Sequence, residues 1–227
     1  MVVVGGVRRT ALISLSNHSD ERMRHAKMGS WFAENPQRSL ANNSICFTEK
    51  PDMGAFLREW LAIYESRSGE RGIFNREACK NMLPERRDAD YEFGCNPCSE
   101  IVLRGSSKSG SGGGQFCNLT EVIARPKDTL EVLKDKVRLA TILGTLQSAL
   151  TDFKFLRRGW KDNCEEERLL GVSLTGIYDC PALIKSKPED LQALRKEAIE
   201  VNEKWAKIIG INPSAAITCV KPSGTVS

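Results

Sequence analysis

Histidine is nearly missing from this chain, and its scarcity removes several chemistries at once. Only His18 and His25 occur in 227 residues, both far upstream of the cysteines in the middle of the chain. A structural zinc site takes four ligands, usually as two closely spaced pairs. One Cys-x-x-Cys exists here, Cys95 to Cys98, with no second pair. Long apolar runs are also absent, so nothing approaches the ~20 residues of a membrane helix. Met1-Val2-Val3-Val4, followed by two glycines and then two arginines, is no signal peptide. Charge of one sign is lacking too: the net charge is +4 with acids and bases interspersed, which leaves no footprint for nucleic acid. The glycine-rich stretch 105–114 has no Gly-Lys-Ser/Thr ending, which rejects a phosphate-cradling loop of that kind. Eight scattered cysteines without a secretory signal form no disulfide framework and point to a reducing cytoplasm.

What remains is an ordinary globular composition, with 41% hydrophobic and 27% charged residues, long enough for one large domain or two small ones. Ala11–Leu15 and Asn42–Phe47 read as strands. Asp52–Ser66 reads as an amphipathic helix whose stripe Phe56, Leu57, Trp60, Leu61 and Tyr64 belongs in a core. Ile73-Phe74 gives a short strand, and Asn75 caps a helix over Arg76–Leu83. Pro84–Glu92, with Arg86-Arg87, reads as an exposed connection, and 104–114 as a flexible surface loop. Phe116–Ala124 is strand-like. A long helix or broken pair follows over Asp128–Phe155, with Gly144 as a possible break; then a strand at 169–173, a helix over Pro188–Ile209 closed by Gly210, and a buried strand at Ala215–Val220. Strands separated by helices predict parallel βα units and an α/β fold.

The chemistry concentrates at Cys95-Asn96-Pro97-Cys98-Ser99-Glu100-Ile101. Asn96, Cys98 and Glu100 stand at alternate positions, which in an extended backbone point to one face. An amide, a thiol and a carboxylate converging on one substrate could hold a hydroxyl, give up a hydrogen atom and take a proton. Gly94 and Pro97 favour a tight loop over a ladder strand, and Ile101-Val102-Leu103 is apolar enough to anchor it. A Cys-x-x-Cys oxidoreductase would carry its pair at a helix start, whereas here a strand follows.

In company these residues become specific. Asn96-Pro97-Cys98-Ser99-Glu100-Ile101, Phe116-Cys117-Asn118-Leu119-Thr120-Glu121 and Lys221-Pro222-Ser223-Gly224-Thr225, in this order, resemble the catalytic core of a ribonucleotide reductase. Gly5-Gly6-Val7-Arg8-Arg9-Thr10-Ala11 and Ser68–Asn75 match the same family, and the details look most like the monomeric, adenosylcobalamin-dependent (class II) ribonucleoside-triphosphate reductases. The resemblance covers essentially all of residues 1–227, as a partial catalytic barrel. It implies a ten-stranded α/β barrel with the cysteine on an inner loop. It also implies a thiyl radical on Cys98, a proton-accepting Glu100, and Asn96 bonded to the ribose hydroxyls. Cys117 would be one of two reducing thiols, the other lying before residue 1. Ser223, Gly224 and Thr225 would bind substrate phosphates, and Gly5, Gly6, Val7, Arg8 and Arg9 would form the specificity loop beneath a dNTP or ATP effector. The implied partners are a ribonucleoside triphosphate and thioredoxin or a similar dithiol, with adenosylcobalamin as cofactor and neither nucleic acid nor membrane. Cys46, Cys79, Cys164, Cys180 and Cys219 are expected to be structural, and Cys95 departs from the family pattern. Two other readings stay open: a metal- or redox-binding module on Cys95, Cys98 and Cys117, and a catalytically silent piece of a split reductase gene.

Overall fold

The computed structural model describes residues 12–108, 110 and 112–221, so Gly5–Arg9 and Ser223–Thr225 lie outside the described residues. The chain divides into two compact units, one of residues 12–82 with 93–102, the other of 83–92 with 103 onward.

In the first unit, β1 (Leu12–Ser16) pairs in parallel with β2 (Ala41–Phe47), Ser14 opposite Asn43, and β2 pairs in parallel with β3 (Gly72–Asn75), Cys46 opposite Phe74. Between β1 and β2 come two single-turn helices, α1 (Glu21–Arg24) and α2 (Trp31–Glu34), and a 3-10 turn over Pro36–Leu40. Asp20 starts α1 by accepting from the Met23 amide at 3.0 Å, and the helix spans a single turn. Helix α3 (Met53–Ser66) returns the chain to β3, opened by the Asp52 carboxylate on the Ala55 N–H and stopped by Arg67 in the left-handed region. Asn75 caps α4 (Arg76–Asn81) as its sequence predicts.

Helix α3 corrects one expectation. Its buried positions are Ala55, Glu59 and Ala62, while Leu57, Trp60, Leu61 and Tyr64 are each more than half exposed. Glu59 decides the rotation: it is fully buried, and its two oxygens take Arg24 Nε at 2.7 Å and Arg71 Nε at 3.0 Å. Arg71 in turn donates to Ser16 Oγ at 2.7 Å. A carboxylate with two cations waiting on one side outweighs the apolar stripe on the other, because leaving those charges buried and unpaired costs several kcal/mol.

The second unit is built on β6 (Asn118–Ile123) and β7 (Leu170–Thr175), paired in parallel with Leu119 opposite Gly171. Helix α5 (Leu130–Ser148) connects them and packs on α8 (Pro188–Ile209), with α6 (Arg158–Glu167) and α7 (Pro181–Ile184) filling the remaining connections. The core gathers Val122, Leu133, Val137, Val172, Leu183, Leu194 and Ala198, each large side chain contributing ~1.5–3 kcal/mol on burial. Helix α5 runs unbroken through Gly144, where a Cβ would stand 3.3 Å from Leu170 Cδ2, so that glycine allows close packing and does not mark a break. The expected strand at Ala215–Val220 is reduced to a single parallel bridge, Thr218 beside Val172.

Two surface expectations also give way. Arg87 is buried and paired with Glu167 at 3.1 Å, and fully buried Arg104 reaches Glu167 at 2.8 Å and stacks its guanidinium 3.9 Å over Tyr91. The loop from 105 to 114 lies close against α6: Asn163 Nδ2 donates to Ser106 C=O at 2.8 Å, and a Cβ at Gly114 would fall 2.6 Å from Trp160. Gly112, Gly113 and Gly114 serve close approach, and a flexible linker is the wrong description of that end of the loop.

Candidate active site

The Cys98 loop lies in the first unit between β4 (Phe93–Cys95) and β5 (Val102–Arg104). Ser99 N–H donates to Asn96 C=O at 2.9 Å, closing a four-residue turn with Pro97 and Cys98 at its centre. Proline at the second position is the favoured choice, its φ being preset for that turn. The loop is therefore a turn and not an extended run, so simple alternation does not set the directions of Asn96, Cys98 and Glu100. Pro97 is the physical reason.

Asn96 pins the base of the loop twice. Its N–H donates to Ile101 C=O at 3.3 Å, and its Oδ1 accepts from Ile101 N–H at 3.0 Å. That leaves the Nδ2 group as the end of the amide able to donate to a ligand hydroxyl. Buried Ile101 anchors the far arm, Arg76 Nε holds the near arm through Phe93 C=O at 2.7 Å, and the Asn42 amide donates to Pro97 C=O. Ser99 takes a positive φ of 62°, a conformation that costs a non-glycine residue roughly 1 kcal/mol. Cys98 is half-buried, and both carboxylate oxygens of Glu100 are shielded from solvent.

Cys95 sits across the loop with its Sγ 3.5 Å from Ser99 Oγ. Burial pushes its thiol pKa up, and the nearby Cys46 and Glu100 push it the same way against the Ser99 hydrogen bond. A thiol held protonated is a poor nucleophile and a poor metal ligand. Among the described residues no group of three or more metal-ligating side chains assembles.

Cys117 belongs to the second unit, one residue before β6, half-buried beside a cavity of about 320 Å³ that it lines with Asn118, Gln147, Ser148, Phe153 and Cys164. The neighbouring Phe116 N–H donates to Cys164 Sγ at 3.3 Å, and burial raises the Cys164 thiol pKa. The sequence reading missed the anchoring role of Asn42, whose partner lies 55 residues away.

No family model matches the chain. It is 28% identical over 258 residues to the adenosylcobalamin-dependent ribonucleoside-triphosphate reductase of Lacticaseibacillus paracasei, covering 100% of this chain and 32% of that protein. With the enzyme of Lactobacillus leichmannii the identity is 26% over 263 residues, covering 33% of it. A probable enzyme of the same name from Dictyostelium discoideum is 26% identical over 243 residues. Among solved structures, a B12-dependent (class II) ribonucleotide reductase superposes with a TM-score of 0.63 at 22% identity, over 94% of this chain and 32% of that one. The class Id reductase alpha subunit of Actinobacillus ureae gives 0.60 at 13% identity, over 46% of its chain. The motif resemblance thus extends along the whole chain, which spans about a third of the length of the curated relatives it matches.

Proposed function

We propose that this chain is the catalytic centre of an adenosylcobalamin-dependent reductase acting on ribonucleoside triphosphates, and part of its ten-stranded α/β barrel. The observation that carries the reading is the Asn96–Ser99 turn, which presents Cys98 at its centre beside a solvent-shielded Glu100, in a chain similar along its whole length to such enzymes. Cys98, as a thiyl radical, takes the 3′-hydrogen of the ribose. Glu100 takes the 3′-hydroxyl proton as general base, and its shielding strengthens that interaction. Asn96, fixed through its Oδ1, offers Nδ2 to the ribose hydroxyls. The half-buried setting of Cys98 serves a radical that must be kept from water and stray donors. Cys117 supplies a reducing thiol, and an external dithiol such as thioredoxin would restore it. Ser223, Gly224 and Thr225 for the phosphates, and Gly5, Gly6, Val7, Arg8 and Arg9 beneath a dNTP or ATP effector, are assigned by motif alone.

The cofactor is assigned by similarity and not by fit. His18 and His25 stand exposed, and the described residues gather no metal-ligating cluster, so none of them is assigned to the corrinoid. The test is a hybrid in which this chain replaces the aligned third of the Lactobacillus leichmannii enzyme. It should form deoxynucleotide and lose that activity with Cys98→Ser or Glu100→Gln. A folded hybrid that binds nucleotide and forms none refutes the reading.

A further inference from the structure

One face of the first unit's sheet backs the Cys98 loop. Side chains alternate along a strand, so Asn42, Ser44 and Cys46 of β2 share a face, and Ser44 stands opposite Leu15 of β1. The loop meets that face at three points. A Cβ at Gly94 would stand 3.8 Å from Leu15 Cδ1, and Cys46 lies near enough to Cys95 to help raise its thiol pKa. Asn42, near the start of β2, donates its Nδ2 to Pro97 C=O.

The carbonyl that Asn42 holds is the one that decides the type of turn. Pro97 and Cys98 are the central pair of the Asn96–Ser99 turn, and the peptide joining such a pair can stand in two orientations. Passing from type I to type II reverses the first central carbonyl and takes the second central residue from φ about −90° to about +80°. Proline in the first central position suits both types, so Pro97 does not choose between them. Among the described non-glycine residues positive φ occurs at Arg67, Ser99 and Arg168, so Cys98 keeps a negative φ and the turn is type I. The left-handed region disfavours any residue with a Cβ, yet Ser99, next along, already occupies it. Steric preference alone therefore does not fix this loop.

We propose that Asn42 is a positioning residue for Cys98: its amide holds Pro97 C=O in the type I orientation and so sets the direction of the Cys98 thiol. As a device of ribose reduction this rests on the function proposed above; as a clamp on the turn it stands on the geometry alone. A sulfur that takes the 3′-hydrogen must meet that C–H bond at close range, and a misplacement of about 1 Å costs on the order of 100-fold in rate. Asn42 acts through the backbone of the loop, so its loss slows the transfer of hydrogen. Binding of the nucleotide's phosphates, assigned to Ser223, Gly224 and Thr225, is left as it was.

The test has two arms, each run with Asn42→Ala and with Asn42→Asp, which keeps the shape and replaces the N–H donor with an acceptor. In the hybrid enzyme kcat should fall on the order of 10- to 100-fold with KM unchanged. The isotope effect on kcat from a ribonucleoside triphosphate deuterated at C3′ should grow, because hydrogen transfer has become the slow step. Loss of folded enzyme lowers kcat and leaves the isotope effect where it was, so that result, or an unchanged kcat, overturns the proposal. The second arm reads the turn without reductase activity. In the purified whole chain, iodoacetamide followed by peptide mapping should alkylate Cys98 several-fold faster in both variants, because a released turn exposes the half-buried thiol. Cys117, in the other unit, should keep its rate. Equal rates at Cys98, in variants that keep the circular dichroism of the unaltered chain, overturn the clamp. An unaltered hybrid that forms no deoxynucleotide counts against the function, and the alkylation rates then decide the clamp by themselves.

Discussion

Replacing Glu167 should unfold the second unit selectively, and the size of the effect follows from its partners. The carboxylate is 1% exposed and takes Arg87 Nε at 3.1 Å, Arg104 Nη2 at 2.8 Å and Gln115 Nε2 at 2.6 Å. Both arginine side chains are at most 3% exposed. Glu167→Gln keeps the shape but removes the charge that compensates two buried guanidinium groups. Glu166 remains, bound to Arg104 Nη1 at 2.8 Å and half open to solvent, so Arg104 keeps a carboxylate and Arg87 loses that of Glu167. Breaking a buried ion pair by removing one partner costs about 3–5 kcal/mol. With a urea slope of about 2 kcal/mol per molar, that lowers the unfolding midpoint by about 2 M. The assay is urea unfolding followed by tryptophan fluorescence, since Trp160 and Trp205 lie in the second unit and Trp31 and Trp60 in the first. In chains lacking Trp31 and Trp60 the second unit alone is reported. Pairing the change with Arg87→Met should recover most of the loss, because removing both partners is far cheaper than removing one. A drop under 1 kcal/mol for Glu167→Gln, or no recovery in the double variant, would refute the account of this network.

Gly159→Ala raises helix propensity by about 1 kcal/mol, yet should destabilise by about 1–3 kcal/mol, because the added Cβ falls 2.3 Å from Gly112 C=O and 2.6 Å from Ser107 Oγ; thermal melts decide the sign. Cys95 carries a thiol pKa raised by burial, so its stabilising contribution is full below the unfolded thiol pKa of about 8.5 and is lost as pH rises through the higher folded value. Cys95→Ser should flatten stability above that pH, and alkylation of Cys95 should lag a model thiol at pH 9; equal rates would contradict the burial argument. The purified chain alone, given adenosylcobalamin, a ribonucleoside triphosphate and a dithiol, should form no deoxynucleotide above the cofactor-only control.

Local patterns carried the fold further than the site. Pro188 and Gly210 bracket α8 because a proline opens and a left-handed glycine closes a helix, and both signals are local. Alternating strands and helices likewise foretold parallel ladders. The face that α3 buries was not legible, because Glu59 is drawn inward by Arg24, 35 residues away, and Arg71, 12 residues away. A periodic stripe of apolar residues cannot report partners at that range. The residues of the Cys98 loop stood out by composition, but their geometry did not. An alternation rule presumes an extended backbone, and Pro97 with Ser99 at positive φ makes a turn.

The packed glycines beneath α6 bear on how this protein can be cut and rejoined. A run of glycine and serine is where an engineer would insert a tag, open a circular permutant or expect a protease to nick. Here Gly112, Gly113 and Gly114 sit where no side chain fits, against Arg157, Asn163 and Trp160. Inserted residues there would have to lever α6, and Glu167 at its end, away from the two arginines it neutralises. The stretch around Lys154 and Phe155, with Phe155 99% exposed between α5 and α6, looks less like a linker in sequence and would serve better as one.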